Sequence, residues 1–311
     1  MADLRTRIGS LELQNPIMPA SGTFGIEMAD IFDFDLLGAL VLKTVTPHMR
    51  AGNPVPRVCE LPNGMLNSIG IPSKGGDYLV DRIIPQFSAF KPPLVVSISA
   101  NSAEDFAKFA SRISVAGVDA IEANISCPNI EDDGHAFAMS TTATHKVIAA
   151  MRKATDLPIW AKLSPNVGAP ADIARAAEDA GADALVATNT MLGMAIDVKS
   201  GKFKLGNVMG GLSGPALKPI SLRVTYQCVR AVSIPVIGCG GISTVDDVLE
   251  YLMAGAAAVQ VGTASFIHPM AMPDLIRGLD ERLDAEGWET VSRVNGMLAQ
   301  RREAANVLEY A

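Results

Sequence analysis

The sequence predicts an α/β fold, a closed (β/α)8 TIM barrel. Short apolar runs alternate with helix-like segments, a small-residue motif recurs where a helix hands over to the next run, and polar residues gather where the runs end. The chain opens with residues 4–13, which turn at Gly9-Ser10 and read as a hairpin capping the barrel bottom. Apolar runs at 16–20, 39–45, 94–99, 159–164 and 235–238, with others starting at Ala120, Ala184 and Ala258, make eight. Helical patterns follow most of them, at 103–115, 141–154, 171–180, 218–232 and 245–254. Ala116-Gly117-Val118-Asp119-Ala120, Ala180-Gly181-Ala182-Asp183-Ala184 and Ala254-Gly255-Ala256-Ala257-Ala258 form an imperfect repeat, in which glycine closes a helix and small residues let it pack near the sheet. Buried strands alternating with helices pair in parallel, and eight such units fit a closed barrel better than an open doubly wound sheet. Residues 290–311 read as an extra C-terminal helix, and with no linker in view 1–311 reads as a single domain.

With 311 residues, 49% hydrophobic and 19% charged, the chain can bury a large core. Its formal charge of −7 and the lack of any basic block longer than Arg301-Arg302 argue against nucleic acid or an acidic membrane surface as partner. Cys59, Cys127, Cys228 and Cys239 lie far apart with no CxxC pair, which argues against a disulfide framework, structural zinc or an iron–sulfur cluster in this chain and makes a reducing cytoplasm its simplest home. Asp3, Arg5, Arg7 and Glu12 rule out a signal peptide or membrane anchor over 1–14. The four histidines, His48, His135, His145 and His268, are scattered, and no metal site is expected.

Barrel enzymes keep their chemistry at the C-terminal ends of the strands. Here those ends carry Ser21-Gly22, Lys43-Thr44, Ser97 and Ser99, Asn124 to Asn129, Lys162 with Ser164-Pro165-Asn166, Thr188-Asn189-Thr190, Gly240-Gly241 and Gly262-Thr263. A lysine inside an apolar strand must reach the barrel mouth or lose its hydration uncompensated, so Lys43 and Lys162 point toward a bound anion or an electron-rich ring. Glycine-rich turns after the seventh and eighth strands offer backbone N–H groups to a phosphate, which implies a phosphorylated cofactor. Gly238-Cys239-Gly240-Gly241-Ile242-Ser243 falls short of a dinucleotide fingerprint, because serine stands at its final glycine and no suitably placed acidic residue follows. In Asn124-Ile125-Ser126-Cys127-Pro128-Asn129, a thiol between two asparagines suggests a base or nucleophile with amides to hold a polar planar substrate.

These motifs resemble class 1 dihydroorotate dehydrogenase. The resemblance runs in order from Asn15 to about Pro269 through Asn-Pro-Ile-Met-Pro-Ala-Ser-Gly (15–22), Gly-Asn-Pro-Val-Pro-Arg (52–57), Gly-Met-Leu-Asn-Ser-Ile-Gly-Ile (64–71), the Cys127 motif, Lys-Leu-Ser-Pro-Asn (162–166), Asn-Thr (189–190), Gly-Gly-Leu-Ser-Gly-Pro (210–215) and Gly-Cys-Gly-Gly-Ile (238–242). Cysteine at 127 favours class 1 over the quinone-linked class, whose matching loop carries serine. The Lys-Leu-Ser-Pro-Asn form resembles the NAD-linked, class 1B branch, whose FMN-binding catalytic subunit pairs with an electron-transfer subunit carrying FAD and a 2Fe-2S cluster.

The resemblance implies oxidation of dihydroorotate to orotate in pyrimidine biosynthesis, by a homodimer within a heterotetramer. Cys127 would be the general base at C5 while hydride leaves C6 for the flavin; its apolar strand setting would raise a thiol's pKa, so cationic or donor groups must offset that. Asn67, Ser68, Ile69, Gly70, Ile71, Asn124, Asn129, Asn189 and Thr190 would hold the substrate, with Lys43 between it and the flavin. Lys162 would neutralise charge on the flavin N1/O2 edge, and Ser21, Lys43, Thr44, Ser97, Asn124, Thr188, Gly214, Gly240, Gly241, Gly262 and Thr263 would complete the FMN site. Two departures stand out: Ser97 replaces an asparagine common in relatives, and the acidic stretch Glu131-Asp132-Asp133 lies where related loops are basic or glycine-rich, reading as a mobile lid over Cys127. Three other functions share some of these features. They are the fumarate-linked class 1 enzyme, a dihydropyrimidine dehydrogenase, whose matching loop has histidine where Asn129 stands, and a cofactor-free sugar-phosphate lyase with Lys162 as Schiff-base amine.

Overall fold

The computed structural model describes residues 2–126 and 136–298. Eight parallel strands form one sheet: β1 (Ile17–Pro19), β2 (Leu40–Val41), β3 (Leu94–Ile98), β4 (Ala120–Asn124), β5 (Ile159–Lys162), β6 (Ala184–Ala187), β7 (Val236–Cys239) and β8 (Ala258–Val261). They run in the spatial order β1-β8-β7-β6-β5-β4-β3-β2, and the Gly38 N–H donating to the Ile17 carbonyl at 2.9 Å bridges the seam between β1 and β2. This is the expected (β/α)8 barrel. All residues of β3 to β8 are buried, as strands covered on both faces require.

Two apolar layers hold the barrel. Its interior is filled by Met18, Val41, Val95, Trp160, Val186 and Ile237, together with Ile8 and Leu13. The last two come from the hairpin Thr6–Ile8 and Leu11–Leu13, so the hairpin plugs the bottom as its sequence predicts. The outer layer seats the helices α1 (Ala103–Ile113), α2 (Thr141–Arg152), α3 (Pro170–Asp179), α4 (Lys218–Ala231), α5 (Val245–Met253) and α6 (Ala271–Glu286). In α1 the Ser102 hydroxyl caps the Asp105 N–H, and Phe106, Phe109, Ala110 and Ile113 make one buried stripe at helical spacing. The repeat motif behaves as read: Gly117, Gly181 and Gly255 take φ of +90°, +97° and +100°, the left-handed conformation that ends a helix.

Three features differ from expectation. Regular pairing in the second strand covers only Leu40–Val41, with an isolated bridge from Val45 to Ile98. A four-stranded antiparallel sheet, in the order Met191–Gly193, Gly210–Ser213, Gly64–Asn67 and Val58–Leu61, is built from the β2–β3 and β6–α4 connections. The expected C-terminal helix is replaced at its start by a 3-10 turn, Val291–Arg293, capped by the Thr290 hydroxyl; Gly296 at φ +69° then turns the chain, and 299–311 lie outside the described residues.

Candidate active site at the barrel mouth

Strand alternation sends Glu122 and Asn124 of β4, and Trp160 and Lys162 of β5, to the barrel interior. Lys162 is 3% exposed, so its ammonium depends on protein partners. It donates to Ser21 Oγ at 3.1 Å and Gln260 Oε1 at 3.0 Å, with Glu122 Oε1 3.7 Å away. Glu122 is wholly buried and takes one donor on each oxygen, Ser97 Oγ at 2.8 Å and Gln260 Nε2 at 2.8 Å.

A second group of amides and hydroxyls continues from this one. Ser97 Oγ lies 2.9 Å from Thr44 Oγ1, which accepts from Asn124 Nδ2 at 3.2 Å. Asn124 Oδ1 accepts from Ser126 Oγ at 2.8 Å and from Asn189 Nδ2 at 3.3 Å. Asn189 Nδ2 also donates to Ser126 Oγ at 2.5 Å, and its Oδ1 accepts the Thr190 N–H at 2.7 Å. Ser126 immediately precedes Cys127. Cys127, Asn129, His135 and the acidic 131–133 segment lie outside the described residues.

The antiparallel sheet contributes Asn67, whose Nδ2 donates to the Gly211 carbonyl at 3.3 Å. A side chain at Gly211 would sit 2.0 Å from Thr190 Oγ1, so glycine there lets Asn67 and Thr190 meet at one backbone. Lys43 donates to the Pro72 carbonyl at 2.5 Å, and burial lowers its pKa. Next to Pro72, Ile71 has φ +48°, a strained conformation for a β-branched residue. Ser68 is tied up in the loop itself, its hydroxyl accepting from Asn53 and Asn207, both at 2.9 Å. Asn166, at the end of the Lys-Leu-Ser-Pro-Asn motif, accepts the Leu192 N–H at 2.8 Å and so fixes the Met191–Gly193 strand.

The glycine turns converge. Because β7 and β8 are neighbours with Cys239 opposite Gln260, Gly240-Gly241 and Gly262-Thr263 emerge side by side. A Cβ on Gly241 would stand 2.9 Å from the Gly214 carbonyl, and one on Gly214 3.6 Å from Thr263 Cγ2, which places all three glycine turns in one cluster. Thr263 Oγ1 donates to Ser213 Oγ at 2.8 Å, tying this cluster to the antiparallel sheet. Buried Thr188, at the end of β6, lies 3.0 Å from Ser221 Oγ. Ser265, in the turn after Gly262-Thr263, has a buried hydroxyl that finds no hydrogen-bond partner among the described residues. This cluster of N–H groups could hold a phosphate.

Among the described residues, the structure thus brings together the predicted groups Ser21, Thr44, Ser97, Asn124, Lys162, Asn189 and Thr190, and a second set of Gly214, Gly240, Gly241, Gly262 and Thr263. Glu122, Gln260 and Ser221 escaped the sequence reading. The first two carry the same signal that exposes Lys162, a polar residue inside an apolar strand. Cys228 and Cys239 are buried as small apolar residues, and burial pushes the Cys228 thiol up to about 12 and also raises that of Cys239, whereas Cys59 is only half-buried.

A family model described as dihydroorotate dehydrogenase matches residues 3–283. The chain is 46% identical over 297 residues to a protein of Desulforamulus reducens named dihydroorotate dehydrogenase B (NAD(+)), catalytic subunit, covering 94% of this chain and 98% of that one. Proteins of the same name from Carboxydothermus hydrogenoformans (46% identical, covering 97% and 99%) and Bacteroides fragilis (44%, covering 96% and 99%) are similar along nearly their whole lengths.

Proposed function

The chain belongs to the dihydroorotate dehydrogenase family, and from that premise we infer that it is the catalytic subunit of the NAD-linked, class 1B enzyme, oxidising dihydroorotate to orotate. The observation that carries the reading is the nearly buried Lys162 ammonium, held by Ser21 and Gln260 at the mouth of a barrel whose last two strands end in glycine turns. Such a cation suits an electron-rich ring, and the turns suit its phosphate.

The residues fit FMN. Gly241 at φ +71°, the open space at Gly22 and the Ser265 hydroxyl, buried with no partner among the described residues, are each features that suit a bound anion at these strand ends. When bound, FMN supplies the two-electron acceptor for the hydride leaving C6. Cys127 takes the C5 proton. Asn67, Asn124, Asn129, Asn189 and Thr190 present amide and hydroxyl groups to the pyrimidine carbonyls, ring N–H groups and carboxylate, fixing C5 toward the thiolate. Strained Ile71 and Gly70 form a wall, and Lys43, whose burial disfavours its charged form, offers a cation that an anionic substrate restores. Lys162 would be the cation placed to offset negative charge on a bound flavin ring.

A separate subunit carrying FAD and a 2Fe-2S cluster would accept the electrons, in a heterotetramer built on a homodimer of this chain. The scattered free thiols Cys59, Cys228 and Cys239 support a cytoplasmic setting, and no described helix is long and apolar enough to cross a membrane. The test is direct: the purified protein is yellow with noncovalent FMN, and anaerobic dihydroorotate bleaches it. A colourless protein that takes up no added FMN would sink the reading.

A further inference from the structure

We propose that Glu122 is the positioning residue of this site: its carboxylate sets the direction of every hydrogen bond from the flavin side to the substrate side, and offsets the charge of Lys162. An ionised carboxylate only accepts. Gln260 must therefore turn its NH2 to Glu122 Oε2, at 2.8 Å, which leaves Oε1 for Lys162 at 3.0 Å. On the other oxygen, Ser97 must donate its one proton to Glu122, so its 2.9 Å contact with Thr44 is one it accepts. Thr44 has then spent its proton on Ser97 and accepts from Asn124 Nδ2. Asn124 is left with its oxygen facing Ser126 and Asn189, both of which donate to it. Each of these contacts agrees with a single polarity that ends on Glu122.

The consequence is that amide orientations at Asn124 and Asn189, which decide whether the site offers a donor or an acceptor to a pyrimidine, are dictated by a residue that need not touch the substrate. In the other direction Glu122 holds Lys162 through Gln260, at 3.7 Å, close enough to offset its charge without taking its hydrogen bond. Such a chain, buried from Glu122 to Asn124, specifies one arrangement.

The proposal rests on the flavin reading, and its test uses FMN-loaded protein with two spectroscopic readouts, the reduction potential of the bound flavin and the orotate dissociation constant. In Glu122→Gln the chain can reverse and Lys162 loses its counter-charge. Orotate binding should weaken by about tenfold, and the flavin equilibrium should shift about tenfold toward the reduced form, a rise of about 30 mV for two electrons. Ser126→Ala, at the link between Asn124 and Asn189, cuts only the substrate end of the chain, so it should weaken orotate binding and leave the potential unchanged. Gln260→Leu cuts only the flavin branch and frees Lys162 to close on Glu122; it should lower the potential and spare orotate. That split separates polarity from mere core damage, which would move both readouts together. Glu122→Gln indistinguishable from the parent in both readouts, or single-branch variants that each move both, overturn the proposal. Should Glu122→Gln not fold, the opposite responses of the other two variants decide it. A parent protein that takes up no FMN overturns the underlying reading and the proposal with it.

Discussion

Asn124 and Lys162 are register partners at the C-terminal ends of β4 and β5, so the amide read as substrate-facing and the ammonium read as flavin-facing stand beside one another on the inner wall. On the proposed function, neighbouring strands would supply both halves of the reaction. Behind them, Glu122 is the counter-charge for a lysine with almost no access to water. Lys162→Met removes that cation and leaves a carboxylate buried, which should destabilise the FMN-free protein by roughly 3–5 kcal/mol. Adding Glu122→Gln to it should recover part of the loss. Urea denaturation of the two singles and the double, closed as a cycle, measures the coupling, and strictly additive effects would refute it.

The base is tested by Cys127→Ser. A hydroxyl is a much poorer base than a thiol, so flavin reduction by dihydroorotate should slow by roughly 10²- to 10⁴-fold near neutral pH, with FMN retained and the deficit shrinking at high pH. Anaerobic stopped-flow absorbance reads the rate. Reduction at the parent rate at pH 7 places the base elsewhere.

Lys43 and Lys162 were legible because a cation in an apolar run has to reach the mouth, and the clustering of the glycine pairs because both stand directly after neighbouring strands. Glu122 carried an equal signal inside Ala120-Ile121-Glu122-Ala123, two residues before Asn124 and therefore on the same strand face. Counting back along the alternation finds it, as it finds Gln260 inside Ala258-Val259-Gln260-Val261. The antiparallel sheet was hidden for a different reason. Asn67 pairs with Gly211, far along the chain, and Val58–Leu61 is short and half exposed, so no local periodicity announces a pairing that only the barrel brings about.

Asp247 braces the turn after β7. Burial alone would raise its pKa, but the Lys218 ammonium at 2.6 Å and the Ser243 and Thr244 N–H groups, each at 2.8 Å, hold it below the usual carboxylate range. A depressed folded pKa means a contribution that is fully present above the unfolded value, about 3.9, and lost as pH falls through the folded one. Asp247→Asn should therefore be less stable than the parent at pH 6, with the gap narrowing below about pH 4. Urea midpoints across pH 2.5–6 test this. A gap independent of pH would mean that the charge of Asp247 contributes nothing.

The destination of the electrons gives the last prediction. The segment from Gly238 to Ser243 ends in serine where a dinucleotide fingerprint needs glycine, and Gly241 packs against Gly214 in one cluster with Thr263. Cys228 and Cys239 are buried, with thiols whose pKa burial raises, and among the described residues no cluster of His, Cys, Asp or Glu could hold a metal. The chain by itself should therefore oxidise dihydroorotate with dyes or oxygen as acceptor and leave NAD untouched, and an added subunit carrying FAD and a 2Fe-2S cluster should restore NAD reduction. Steady-state assays against NAD, fumarate and a dye, with and without that subunit, separate the outcomes. Rapid NAD reduction by the isolated chain contradicts the two-subunit route, and a strong preference for fumarate assigns the chain to the single-subunit branch of the family.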